Sequence, residues 1–327
     1  MSTPATESFL HATGVDVPLI CGAMYPCSNP ELVGAVAKAG AMAVVQPLSL
    51  VYVHGRDMRE GLREIATLSG GRPVGFNAII EKSVKAYEER MRAWIDVALE
   101  EGVRFFVTAL GNPAWVCEKV HAAGGVVYHD VTERRWAERA KDAGVDGLIC
   151  VNARAGGHAG TKTPEALFEE LSGLDLPLVA AGGCGDEAEY ARLIGLGYGA
   201  VQMGTRFIAT EECAVHPDYW EAIVEANEDD IVLTERLSGV PVAVINTPFL
   251  ERVGTKAGPI ARRLLKGRRT KHWMRTLYAI RSIRSLKRGI KDGVGYKDVW
   301  QAGKSVEGIA RVEPAADVVR RFGDALG

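Results

Sequence analysis

The sequence has no CxxC pair, no metal-ligand spacing among its seven histidines, no apolar run of bilayer-spanning length and no surplus of either charge. Each absence removes a class of protein. Cys21, Cys27, Cys117, Cys150, Cys184 and Cys213 are scattered, so neither a zinc module nor a disulfide framework is implied and the thiols read as reduced. With 39 basic against 41 acidic side chains and aromatics at only 7%, no nucleic-acid-binding surface is expected. The opening Met1-Ser-Thr-Pro-Ala-Thr-Glu-Ser carries neither the basic nor the apolar region of a secretory signal, and no transmembrane segment follows, so the expected compartment is the cytoplasm.

What the sequence does contain is an alternation. At 327 residues and 47% hydrophobic content it can bury one large core, or one core with a modest appendage. Between Pro18 and Met203, short apolar runs lie at 19–24, 41–46, 74–79, 105–109, 126–129, 147–151, 178–181 and 200–203. Helical stretches separate them, two of which open with a cap residue followed by proline, at Asn29-Pro30-Glu31 and Thr163-Pro164-Glu165. Eight such units predict a (β/α)8 TIM barrel, with a doubly wound open sheet as the alternative. The barrel core is expected over 1–208, a helical, basic lobe above its carboxyl-end face over 209–299, and a segment returning to the barrel over 300–327.

Three glycine turns at predicted strand ends carry the chemistry. Asn152-Ala-Arg-Ala-Gly-Gly-His158-Ala-Gly160 presents an imidazole with almost no side-chain bulk around it, open to a flat ring or a small substrate. The alternative for a lone histidine is a core residue satisfied by backbone. Ala181-Gly-Gly-Cys-Gly-Asp186 and Gln202-Met-Gly-Thr-Arg206 each follow an apolar run and open a helix. Consecutive turns of this kind hold a phosphate in a barrel through backbone N–H groups and helix dipoles, whereas either alone would only tighten a turn. Asn77 offers a donor and an acceptor to a heterocycle edge, or braces a loop. Gly22-Ala23-Met24 ends the first run with small residues that admit a planar ring, Met24 lying against its face or in the core. His129 ends the fifth run toward the same mouth, in a substrate-side or structural role.

Two further stretches bear on function. Gly303-Lys304-Ser305 imitates the end of a P-loop, yet Asp298 stands where its first glycine is required, so no nucleotide triphosphatase is implied. Segment 256–291 holds thirteen lysines and arginines and no acid. Its readings are a solvated lobe surface, a docking face for an acyl-carrier protein or the phosphates of coenzyme A, and contact with anionic lipid.

Taken together, Ala155-Gly-Gly-His158, Ala181-Gly-Gly183, Val201-Gln-Met-Gly-Thr-Arg-Phe207 followed by Thr210-Glu-Glu-Cys213, and Trp300-Gln-Ala-Gly303 resemble the nitronate monooxygenase (2-nitropropane dioxygenase) family. That family is similar to the FMN-dependent enoyl-acyl-carrier-protein reductases and to NADH:quinone reductases. The resemblance implies FMN with its phosphate on Gly182, Gly183, Gly204 and Thr205, its ring along Ala23, Met24, Asn77 and Gly157, and Gln202 at the ribityl end. His158 would face the flavin N5 side, with His129, Gln301 and Gly303 toward the substrate. Two positions depart from the family: Val151-Asn-Ala-Arg154 stands where many members carry Gln-Gly-Phe-Glu, and Asp130 where quinone reductases often carry lysine.

The activity implied is oxidation of alkyl nitronates with O2 to a carbonyl compound and nitrite. The alternatives are NAD(P)H-dependent reduction of an enoyl thioester or a quinone, and a non-catalytic FMN-binding or membrane-associated protein. The expected partner is a small-molecule substrate, with the choice between monomer and homodimer left open.

Overall fold

Strands β1 (Leu19–Cys21), β2 (Met42–Val45), β3 (Gly75–Ile79), β4 (Phe105–Ala109), β5 (Val126–Val131), β6 (Gly147–Val151), β7 (Leu178–Ala181) and β8 (Ala200–Met203) pair in parallel in that order. β8 then pairs with β1, so the sheet closes into a barrel. The computed structural model describes residues 3–81, 85–235, 240–256 and 299–327. Parallel neighbours require crossovers, and these are α2 (Pro30–Lys38), α3 (Met58–Leu68), α4 (Lys85–Glu100), α5 (Ala114–Ala122), α6 (Arg134–Asp142), α7 (Pro164–Leu171) and α8 (Glu187–Gly195). The expected TIM barrel is the observed fold.

Side chains alternate across each strand and so build two apolar layers. Ile20, Met42, Val44, Val107, Ile149 and Val179 fill the barrel interior, while Leu19, Ala43, Phe76, Phe106, Leu148 and Val201 pack outward beneath the helices. An additional helix, α1 (Pro4–Thr13), starts from a Thr3 cap whose hydroxyl accepts from the Thr6 N–H. Its Phe9 closes the amino end of the barrel, edge-on to Phe105 at 6.3 Å and to Tyr128 at 6.2 Å.

Beyond β8 the chain forms the single turn α9 (Thr205–Ile208), then α10 (Pro217–Glu225), β9 (Ile231–Thr234), β10 (Val242–Ile245) and α11 (Pro248–Val253). The stretch expected to be helical therefore also contains an antiparallel pair, β9 with β10. Its β-branched residues explain the pair: Val242 and Val244 are buried against Leu250, while Leu233 stays exposed. Of the basic segment 256–291, all but Lys256 lies outside the described residues. Helix α12 (Ala315–Asp324) packs between α2 and α8, its Phe322 ring 5.4 Å from that of Tyr190. It takes the place on the outer ring that the single turn α9 is too short to fill.

Gly147 faces inward where the Tyr128 ring crosses it, so an added Cβ would overlap that ring. Gly147→Ala is expected to cost about 1–3 kcal/mol of unfolding free energy, read as a lower urea midpoint at unchanged slope. An unaltered midpoint would show that Phe9 and Phe105 do not lock the Tyr128 ring.

Candidate functional site

Register decides which polar side chains face into the carboxyl mouth. Asn77 pairs with Val107, Asp130 with Ile149, and Gln202 with Ile20, and each of those partners belongs to the interior layer. Asn77, Asp130 and Gln202 therefore point inward. His129, one residue before Asp130, points outward. It is buried, with Nδ1 2.8 Å from Thr108 Oγ1, and burial pushes its pKa down to about 4. The expectation that His129 faces the mouth is thus corrected, because a side-chain period of two sends its imidazole to the helix layer.

The histidine turn is closed by Asn152. Its amide donates to the Gly182 carbonyl at 2.9 Å and accepts from the Arg154 N–H at 2.8 Å, while the Gly160 N–H reaches its carbonyl at 3.1 Å. Neighbouring turns then pack backbone to backbone. Gly182, at φ 113°, lies so close that a Cβ there would stand 2.5 Å from the Ala155 nitrogen. A Cβ on Gly303 would stand 2.5 Å from the Gly156 nitrogen. The Gly303 N–H donates to Thr205 Oγ1 at 3.0 Å, and the Lys304 N–H to the Arg154 carbonyl at 2.9 Å.

The lobe joins the same assembly. Gly157 forms an antiparallel bridge with Ala243 of β10, whose N–H donates to the Gly157 carbonyl at 2.7 Å. Gln301 bridges Val244, its Oε1 lies beside Gly157, and its carbonyl accepts from the Tyr219 hydroxyl. Gly157, Gly182, Thr205, Gln301 and Gly303 are thereby brought into one contiguous structure. Met24 Sδ sits next to Gly204, and Ala23 packs on the interior layer. His158 is exposed by surface area, and desolvation by its surroundings lowers its pKa.

The residues at this mouth fit a flavin mononucleotide. The N–H groups of Gly183 and Gly204 make no hydrogen bond among the described residues, which leaves donors for a phosphate. Because α9 is one turn long, these N–H groups outweigh any helix dipole at Gly204. Asp130 Oδ1, Gln202 Oε1 and Arg154 Nε are buried without partners. Buried polar atoms are nearly always paired, and a heterocycle with ring N–H and carbonyl groups, carrying an anionic tail, complements all three. Among the described residues no cluster of His, Cys, Asp or Glu could hold a metal ion.

Asp130 is the group that motif reasoning passed over, noting it only as a departure from lysine. Burial pushes its pKa up to about 7, with no cation contributing. Between its ordinary value of 3.8 and about 7, the unfolded carboxyl is ionised while the folded one stays protonated. Stability therefore falls as pH rises through that window and levels off above it. Asp130→Asn removes the penalty, so its melting temperature should exceed the native one at pH 8, by on the order of 5 °C, and match it near pH 4. A variant that melts no higher than native at pH 8 would contradict this.

Residues 7–322 match the nitronate monooxygenase family. A relative named (3aS,4S,5R,7aS)-5-hydroxy-7a-methyl-1-oxo-octahydro-1H-indene-4-carboxyl-CoA dehydrogenase, from Rhodococcus jostii, is 28% identical over 80% of this chain and 72% of its own. The nitronate monooxygenase of Pseudomonas aeruginosa is 27% identical over 72% of this chain and 78% of its own. The structure of FabK from Thermotoga maritima superposes with a TM-score of 0.78 at 25% identity, covering 98% of this chain and 95% of that one. Nitroalkane oxidase from Streptomyces ansochromogenes shares the fold, with a TM-score of 0.73 at 20% identity over 98% of both chains. The barrel, its glycine turns and a match over nearly the whole length make this chain a member of the nitronate monooxygenase family of flavin-dependent oxidoreductases.

Proposed function

We propose that the protein binds FMN and oxidises alkyl nitronates with molecular oxygen to a carbonyl compound and nitrite. The observation that carries this reading is the placing of His158 on a glycine turn whose backbone packs directly against the glycine turn after β7. Gly182, Gly183, Gly204 and Thr205 would hold the phosphate, with Ala23, Met24, Asn77, Gly157 and Gln202 around the ring system. When bound, FMN supplies the electron-accepting centre that no side chain provides.

The protein's own contribution is position and protonation state. With its pKa lowered, the His158 imidazole is neutral at neutral pH. A neutral ring can donate one hydrogen bond to a nitro oxygen, and it can take the α-proton when a neutral nitroalkane arrives. The lobe strand β10, bridged to Gly157, fixes the turn from above.

A second reading is supported by the Rhodococcus jostii relative, whose name specifies a coenzyme A thioester, and by the thirteen basic residues of segment 256–291. In that reading the substrate is an acyl or enoyl thioester of coenzyme A or a carrier protein, and NAD(P)H serves as reductant where the thioester is reduced.

Purified protein is expected to release FMN on denaturation and to form nitrite from ethyl nitronate. His158→Ala should lower kcat by about 10²–10⁴-fold with FMN still bound. Native turnover in that variant, or protein without flavin, would refute the first reading. Turnover of a coenzyme A thioester without nitrite from any nitronate would establish the second.

A further inference from the structure

We propose that Arg154 is an anion-binding residue that engages the phosphate end of the bound flavin. The assignment rests on the flavin reading above and deepens it.

Arg154 occupies the turn after β6, four residues before His158, and its side chain lies across the second glycine of the turn after β7. A Cβ on Gly183 would stand 2.5 Å from Arg154 Nε, 2.8 Å from its Cβ and 2.9 Å from its Cδ. Only glycine lets the arginine lie there, and Gly183 is also held at φ 85°. The guanidinium is thereby pressed against the turn whose Gly183 N–H is without a hydrogen bond among the described residues. One flexible cation and one fixed backbone donor thus share a small region.

The arginine backbone is fixed on both sides. Its N–H donates to Asn152 Oδ1 at 2.8 Å, and its carbonyl accepts from the Lys304 N–H at 2.9 Å. The guanidinium is only partly committed: Nη1 pairs with Glu228 Oε2 at 2.7 Å, while Nε is buried with no acceptor. A simple tether between turn and lobe accounts for the Glu228 contact. It leaves Nε, a desolvated donor, able to take an acceptor. A phosphate oxygen supplies that acceptor, and arginine presents its N–H groups in a fork that matches phosphate geometry.

Comparing FMN with riboflavin, which lacks the phosphate, isolates the interaction. Full-length protein freed of flavin is titrated with each by fluorescence quenching. Native protein should bind FMN more tightly than riboflavin. Arg154→Gln should shrink that ratio by about tenfold or more with riboflavin affinity unchanged, and Arg154→Lys should recover part of it. Glu228→Gln, which releases the guanidinium from its carboxylate, should not lower the ratio. Thermal melts verify that each variant is folded.

An Arg154→Gln protein that keeps the native ratio overturns the assignment. So does a Glu228→Gln protein that loses as much as Arg154→Gln, since both would then only loosen the lobe. Native protein that binds both flavins equally refutes phosphate recognition at this turn while leaving the flavin reading intact. Native protein that binds neither refutes the flavin reading, and the Arg154 assignment with it.

Discussion

Backbone lying directly on backbone, where Gly156, Gly182 and Gly303 meet, holds the carboxyl end of the barrel together. At each of these positions a single methyl group would collide with a main-chain atom of the neighbouring turn. The turns after β6 and β7 and the segment returning from the lobe therefore cannot move independently. Asn152 closes one side of this contact through the Gly182 carbonyl, and Thr205 closes the other through the Gly303 N–H. His158 sits on a turn positioned by this packing, which is why an exposed imidazole can still be a placed one.

The electrostatics follow from the same economy of bulk. Where side chains are small, the polar groups that remain have few neighbours, and Asp130, Gln202 and Arg154 each keep a buried atom without a partner. Arg206, more deeply buried, donates through Nη2 to the Ala209 and Arg311 carbonyls and faces Glu313 at 3.5 Å, while its own Nε also lacks a partner. Glu313 in turn accepts from Arg321 of α12 at 2.6 Å. This cluster of charge ties the returning segment to the turn after β8. The three unpartnered atoms at the carboxyl mouth are the ones a bound ligand would satisfy.

Much of this was legible in the chain. Parallel strands buried on both faces read as continuous apolar runs, and the expected 105–109, 147–151, 178–181 and 200–203 coincide with β4, β6, β7 and β8. β1 stops at Cys21, short of the expected 24, because Gly22, Ala23 and Met24 leave the ladder to form the mouth. The glycine turns were visible because their residue types have little other use at strand ends. Three things were not visible, each for a physical reason. The run 126–129 ends on His129, but its direction depends on register against Thr108, which no local pattern encodes. The β9–β10 pair is formed by two short segments, and β10 gains its further bridges from Gly157 and Gln301, residues far from it in sequence. Helix α1 carries its Thr3-Pro4 start signal, yet its purpose is set by Phe9 meeting Phe105 and Tyr128, residues far along the sequence.

The six cysteines, all buried and unbridged, take on a different meaning beside such a mouth. Burial pushes the Cys117 thiol up to about 11, and the Cys21, Cys150, Cys184 and Cys213 thiols are raised as well. Thiols held protonated and out of reach are poor targets for peroxide, a by-product of many encounters between reduced flavins and oxygen. Met24, half-buried beside Gly204, has no such shelter. Among the described methionines Met24 alone is not buried, so oxidation there would set a polar sulfoxide beside Gly204, a lesion that methionine sulfoxide reductases can reverse.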